Sequence, residues 1–207
     1  DMEKTDQLWP GGYRFLFDET LFQPGTDSFL LGAFAAAKRG ERVCDLGAGT
    51  GLLGLLLLAR QGDIHITNVE LQSAACSLAR RSAELTGLSD RITCVEGDLR
   101  DKALLGAGMF DLVVSNPPYF SAGAVSQTVP LARHDQNCSM EALFQTAAKA
   151  LKFGGDFFLV QKPDALARIC FCAIRSGLEP KKLRFVRHSP GNDISLILIQ
   201  CRKGGKP

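Results

Sequence analysis

The chain has 207 residues, 45% hydrophobic and 22% charged, the balance of a globular protein with enough apolar material for a sizeable core. Its most apolar run, residues 52–59, is far shorter than the ~20 residues a membrane helix requires, and no basic-then-apolar leader pattern opens it, so neither membrane insertion nor export is expected. The net charge of +2 is uneven: residues 181–207 carry seven Lys and Arg against Asp193 alone, which fits either a polyanionic partner at that end or a solvated charged surface.

Residues 1–13 are polar, with Pro10, Gly11 and Gly12, and read as a loosely held arm. Phe15-Leu16-Phe17 and Leu21-Phe22 are short apolar pieces placed to cover a ligand cleft. Pro24-Gly25-Thr26-Asp27-Ser28 predicts a turn that caps a helix over 29–38. Strands and helices then alternate: strand 43–46, helix 50–60, strand 64–70, helix 73–86, strand 92–96. A strand opening at Phe110 follows, then a long polar loop, helix 139–152, strand 156–161 and helix 165–176. Two β segments, 183–188 and 194–201, flank the turn sequence Ser189-Pro190-Gly191-Asn192. Alternation of this kind predicts an α/β, doubly wound, mostly parallel sheet, with an antiparallel hairpin at its edge. No repeat or boundary divides the chain, so one domain over 1–207 is expected, with 1–40 as an N-terminal arm and cleft-covering helix. The seven cysteines include no Cys-x-x-Cys pair; they are expected as reduced thiols in a cytosolic protein, and a structural zinc is not expected.

The chain is organised around Phe110-Asp111-Leu112-Val113-Val114-Ser115-Asn116-Pro117-Pro118-Tyr119. The apolar run reads as a buried strand that must stop at Asn116, because Pro117 and Pro118 cannot donate to a ladder. That leaves Asn116 and Tyr119 on a stiff turn past the carboxyl end of a strand, where open α/β sheets bind ligands. An amine on a planar ring suits such a turn. The Asn116 carboxamide oxygen and the Pro117 carbonyl would accept its two N–H bonds, and Tyr119 would stack on the ring. The bland alternative is an Asn that caps its own turn.

Asp45-Leu46-Gly47-Ala48-Gly49-Thr50-Gly51 joins the first strand of the alternating region to its helix, and its glycines let a ligand approach the peptide units closely. Gly49, Gly51 and Gly54 also satisfy the dinucleotide pattern, and Glu70 falls where a carboxylate grips a ribose diol. Asp45, just ahead of the glycines, suits a cofactor that bears an ammonium or sulfonium and no pyrophosphate. Asp98, after the third strand, is placed to accept from an adenine amino group. The plainer readings are a helix cap for Asp45 and a turn residue for Asp98.

These four strand ends, Asp45–Gly51, Glu70, Gly97-Asp98-Leu99 and Asn116-Pro117-Pro118-Tyr119, resemble the class I S-adenosylmethionine-dependent methyltransferases, in the branch that methylates exocyclic amines of bases or side-chain amides. Pro24–Gly32, Arg80–Leu88, Ala132-Arg133-His134 and the ending Cys201–Pro207 are similar to the bacterial tRNA(Val) adenine-N6 methyltransferases, which modify the adenosine 3′ of the anticodon. The resemblance implies a Rossmann-like fold with a seven-stranded sheet, S-adenosyl-L-methionine as cofactor, and no metal. It implies cofactor contacts from Thr26, Asp45, Gly47, Ala48, Gly49, Gly51, Glu70, Leu71, Asp98, Leu99 and Asn116. Catalysis would fall to Asn116, Pro117 and Tyr119, and substrate binding to Pro118, Phe120, Arg133 and His134. Arg133 would reach phosphate, and Phe120 with Tyr119 would sandwich a flipped base. The partner implied is RNA, with tRNA foremost, met by a cytoplasmic monomer. Other activities fit the same turn: methylation of glutamine in release factors, or of guanine N2 in ribosomal RNA. A non-enzymatic alternative is an RNA-binding module that has lost activity.

Overall fold

A computed structural model describes residues 2–21, 24–118 and 139–207. In chain order the elements are β1 (Glu3–Gln7), β2 (Arg14–Asp18), α1 (Thr26–Phe34), β3 (Arg42–Leu46), α2 (Leu52–Arg60), β4 (His65–Glu70), α3 (Ser73–Leu85) and β5 (Ile92–Glu96). They continue with β6 (Phe110–Ser115), α4 (Met140–Ala150), β7 (Leu151–Gln161), a 3-10 turn at Pro163–Ala165, α5 (Leu166–Arg175), β8 (Leu178–Arg187) and β9 (Ile194–Lys203).

Seven strands form one sheet in the order β5-β4-β3-β6-β7-β9-β8, and β9 alone runs against the rest. Its central strands are apolar on both faces because both faces are covered, as in other sheets flanked by helices on two sides. Val43, Leu112, Val114 and Phe158 pack with residues of α1 and α2 on one side. Cys44, Leu46, Val113, Phe157 and Ile199 pack with α4 and α5 on the other. Edge-to-face ring pairs fill both layers, Phe34–Phe158 at 5.7 Å and Phe144–Phe157 at 5.2 Å. Strand order reverses between β3 and β6, so the crevice of the sheet opens above the carboxyl ends of these two strands.

Several expectations need correction. The segment 1–13, expected as a loose arm, instead supplies β1, which pairs with β2 in a separate antiparallel hairpin. Phe15 and Leu16 are buried, and the Leu16 amide donates to Ser82 Oγ of α3 at 2.8 Å, so this piece packs on α3 rather than over the cleft. The expected helix 29–38 begins and ends earlier, at Thr26 and Phe34, and its N-cap is Gly25 with no side-chain cap bond. The hydroxyl of Ser28 goes elsewhere, as described below. β7 starts five residues early, at Leu151, because Gly154 (φ +82°) and Gly155 let it bend into a register shift against Phe110–Leu112. β8 also starts five residues early, at Leu178; it tolerates Pro180 because it is an edge strand with a bulge there. The expected helix 139–152 is α4, shorter at both ends: Ser139 is its N-cap, accepting from the Ala142 amide, and residues 151 and 152 already belong to β7.

Candidate active site

The carboxyl ends of β3, β4, β5 and β6 bring Asp45–Gly51, Glu70, Asp98 and Asn116 to one rim of the sheet. At β6, Ser115 is fully buried and its Oγ donates to the Leu46 carbonyl at 2.7 Å, which ties the end of β6 to the end of β3. Asn116 follows. An Asn that caps its own turn takes an amide hydrogen from the residue two positions on, and Pro118 has none. Its carboxamide is instead held from outside the motif: Nδ2 donates to Ser28 Oγ of α1 at 2.9 Å, and Ser28 is itself buried. That leaves Oδ1 as the acceptor for an incoming group. The turn is held from the other side by Gln161 at the end of β7. Its Nε2 lies 3.5 Å from the Pro117 carbonyl and 3.3 Å from that of Pro118, and Gln161 Oε1 is buried with no partner among the described residues. Sequence pattern gives Ser28 only a place in the helix-capping turn and Gln161 only the end of a strand. Tyr119, Phe120, Arg133 and His134 lie outside the described residues.

The glycine turn leaves β3 through Gly47 (φ +76°), Gly49 (φ +56°) and Gly51 (φ +82°), angles that side chains beyond glycine rarely adopt. The Gly47 and Ala48 amides both donate to the Val69 carbonyl at 2.9 Å, which fastens the turn to β4. A Cβ at Gly51 would meet Asn68 Nδ2 at 3.0 Å and Ala79 Cβ at 3.1 Å, so this glycine also permits close packing on β4 and α3. A Cβ at Gly47 would meet nothing within 4 Å: that face is open to a ligand. Glu70 Oε2 accepts from the Gly49 amide at 2.7 Å and Oε1 from the Gln72 amide at 2.9 Å, so each oxygen keeps a lone pair for a further donor. Leu71 beside it is an exposed apolar surface.

Asp45 is 2% exposed and does not cap the following helix, whose N-cap is Gly51; its Oδ2 has no hydrogen-bond partner among the described residues. Burial, with the Glu70 carboxylate adding like-charge repulsion, pushes the Asp45 carboxyl up to about 8. A buried acid without a partner beneath an open glycine turn is costly unless a cation completes it. The donor set therefore fits a cofactor with a cationic amino-acid end and a ribose: Asp45 and the open turn for the first, Glu70 for the second. Asp98 is differently disposed. Arg100 holds its carboxylate in a bidentate ion pair, which keeps it below the usual carboxylate range and occupies the oxygens that the sequence reading leaves for an adenine amino group. Leu99 packs partly buried against the core, and its carbonyl accepts from Thr146 Oγ1. Thr26 is exposed in the first turn of α1, the same turn that carries Ser28.

A sheet in this order, with a glycine turn and an acid at the end of the next strand beside its switch point, is that of the class I S-adenosylmethionine-dependent methyltransferases. Comparison with known proteins agrees. The model of the methyltransferase small domain matches residues 16–168, and the chain belongs to that family. It is 33% identical over 200 residues to a tRNA1(Val) (adenine(37)-N6)-methyltransferase of Porphyromonas gingivalis, covering 91% of this chain and 78% of that one. It is 31% identical to the Dickeya chrysanthemi protein of the same name, covering 99% and 84%. Among solved structures, a protein from Agrobacterium tumefaciens described as a predicted O-methyltransferase superposes with a TM-score of 0.73 at 27% identity, covering 87% of this chain and 82% of that one. The protein is an S-adenosylmethionine-dependent methyltransferase.

Proposed function

We propose that this enzyme methylates the exocyclic N6 amine of an adenine in tRNA, next to the anticodon. The observation that carries the reading is the Asn116-Pro117 turn: two acceptors on a strand end, with the carboxamide nitrogen already engaged by Ser28. Relatives named tRNA1(Val) (adenine(37)-N6)-methyltransferase support the choice of adenine and of tRNA.

When bound, the cofactor supplies a methyl group on a cationic sulfur. The difficulty lies with the nucleophile, since an aromatic amine delocalises its lone pair into the ring. Asn116 Oδ1 and the Pro117 carbonyl hold both amine hydrogens, which favours a pyramidal nitrogen with its lone pair directed at the methyl. Their partial negative charge also stabilises the positive charge that grows on that nitrogen. Gln161 donates to the Pro117 carbonyl, and to that of Pro118, and so fixes where the second acceptor sits; a carbonyl has two lone pairs and serves both donors. No residue is asked to act as a strong base, because the methylated amine gives up its proton readily. An anticodon loop, with bases already splayed, suits such a turn better than duplex DNA, where the base must first be unstacked. A tRNA substrate supports a cytoplasmic enzyme. Among the described residues no helix is long and apolar enough to cross a membrane.

The test is transfer of label from S-adenosylmethionine to unmodified bulk tRNA, with duplex DNA and release factor in parallel, followed by digestion to nucleosides. Label recovered as N6-methyladenosine is the expected result. Label on release factor alone would move the enzyme to glutamine and refute the reading.

A further inference from the structure

The seven basic residues of 181–207 are not equivalent once folded. Arg202 is paired with Asp156 at 2.9 and 3.1 Å, Lys203 Nζ donates to the Leu151 carbonyl, and Lys181 Nζ to the Lys206 carbonyl. Lys182, Arg184 and Arg187 are different. They lie on β8, the edge strand, exposed, and among the described residues no carboxylate forms a salt bridge with any of them. The Arg184 guanidinium rests over the Phe34 ring of α1, 5.3 Å from its centroid, a stacking that uses none of its N–H groups.

Sheet register locates these charges relative to the catalytic turn. Ser115 pairs with Leu159, so Asn116 stands beside Val160; Val160 pairs with Leu198, and Leu198 with Arg184. Arg184 is therefore on the same row as Asn116, three strand spacings away, or about 14 Å. β8 runs parallel to β7, since both oppose β9, so Arg187 lies about 10 Å further toward the catalytic rim and Lys182 about 7 Å below. Three unneutralised cations thus line the edge strand, Lys182 and Arg184 on the face that carries α1 and Arg187, an odd step along the pleat, at the end nearest the rim bearing Asn116. A row of cations at this distance matches the phosphates of nucleotides a few positions from a base seated on Asn116, and not the base itself.

The geometry points to β8 as the rail on which the RNA backbone flanking the target adenine is docked, with Lys182, Arg184 and Arg187 as its phosphate contacts. This rests on the reading of the substrate as tRNA. Such contacts position without reading sequence, and each one lost reduces the salt dependence of binding. The test uses the whole chain, unmodified tRNA, and the double substitution Lys182→Gln with Arg187→Gln, which spares the packed Arg184. The slope of log affinity against log salt should fall by about 1.4–1.8 for two contacts. KM for tRNA should rise several-fold, while kcat at saturating tRNA and cofactor affinity stay unchanged. Lys38→Gln, an exposed position at the opposite end of the sheet, removes one positive charge and should leave the slope unaltered. An unchanged slope in the double variant, or an equal loss per charge in Lys38→Gln, overturns the rail while methylation of tRNA stands. Wild-type enzyme that binds cofactor but neither binds nor methylates tRNA overturns the rail and the substrate reading together.

Discussion

Protonation of Asp45 should govern cofactor affinity. Without cofactor its carboxyl sits at about 8, because it is buried, has an unpartnered oxygen and faces Glu70. A ligand with a cationic amino-acid end binds the ionised form, so at neutral pH binding must expel a proton from Asp45. If the bound carboxyl returns to the ordinary range, affinity rises about tenfold, or about 1.4 kcal/mol, for each unit by which the pH is raised toward 8. Between pH 6.0 and 7.5 that amounts to about 20-fold, in a window where the ligand's own ammonium stays mostly charged. His65, the described histidine with a shifted titration, begins β4 at the far end of the sheet and does not face this site. Calorimetric titration of S-adenosylmethionine across that window, in buffers of different ionisation enthalpy, measures both the affinity and the proton released. Asp45→Asn should flatten the profile and bind weakly throughout. It should also stabilise the cofactor-free protein at pH 8, since a carboxyl raised on folding costs stability as pH climbs from its unfolded value to about 8. A wild-type affinity that is flat from pH 6.0 to 7.5, with no proton released, would refute this account of Asp45.

Asn116→Ala should lower kcat by about 100-fold or more, the usual cost of removing one preorganised partner of a developing charge, and leave cofactor affinity within about twofold. Turnover and affinity falling together would contradict its assigned role. Ser28→Ala should lower kcat by roughly 2–10-fold, the worth of one hydrogen bond, and should have no further effect in the Asn116→Ala background. Equal losses in both backgrounds would mean that Ser28 merely supports α1. Glu70→Ala and Asp98→Ala should weaken cofactor binding, Glu70→Ala the more because the Gly49 and Gln72 amides lose their acceptor as well. Normal affinity in both, by calorimetry, would remove these residues from the cofactor site.

What was legible in the sequence follows the range of the physics. β5 matches its expected span of 92–96, and β3, β4 and β6 differ from theirs by a residue or less, because strands buried on both faces must be continuously apolar. The glycine turn and the Asn-Pro-Pro turn were legible because positive φ and missing amides are properties of single residues. β1 was not, since every residue of Glu3–Gln7 is exposed and carries no apolar alternation. Its place comes from pairing with β2 and from the Glu3–Arg81 ion pair. Ser28 and Gln161 escaped for a related reason: the partners lie 88 residues apart in one case and 44 and 43 in the other, and local pattern carries no trace of either bond. Charge counting found the basic end, but only the fold separates Arg202, spent on Asp156, from Lys182 and Arg187.

The prolines explain why outside partners are needed. Removing the amides at 117 and 118 frees two carbonyl-type acceptors from competition within the turn, which is what an amine substrate requires. The same removal deprives Asn116 of the local donor that usually fixes an Asn side chain in a turn. Orientation must then come from elsewhere, and α1 supplies it. Ser28, in its first turn, takes the carboxamide nitrogen; Phe34, its last residue, packs on Phe158 and carries Arg184. One nine-residue helix thus ties the Asn116 carboxamide to the basic edge of the sheet. α1 is accordingly a structural member of the site, and a displacement of this helix would disturb the acceptor geometry at Asn116 and the charge row on β8 at once.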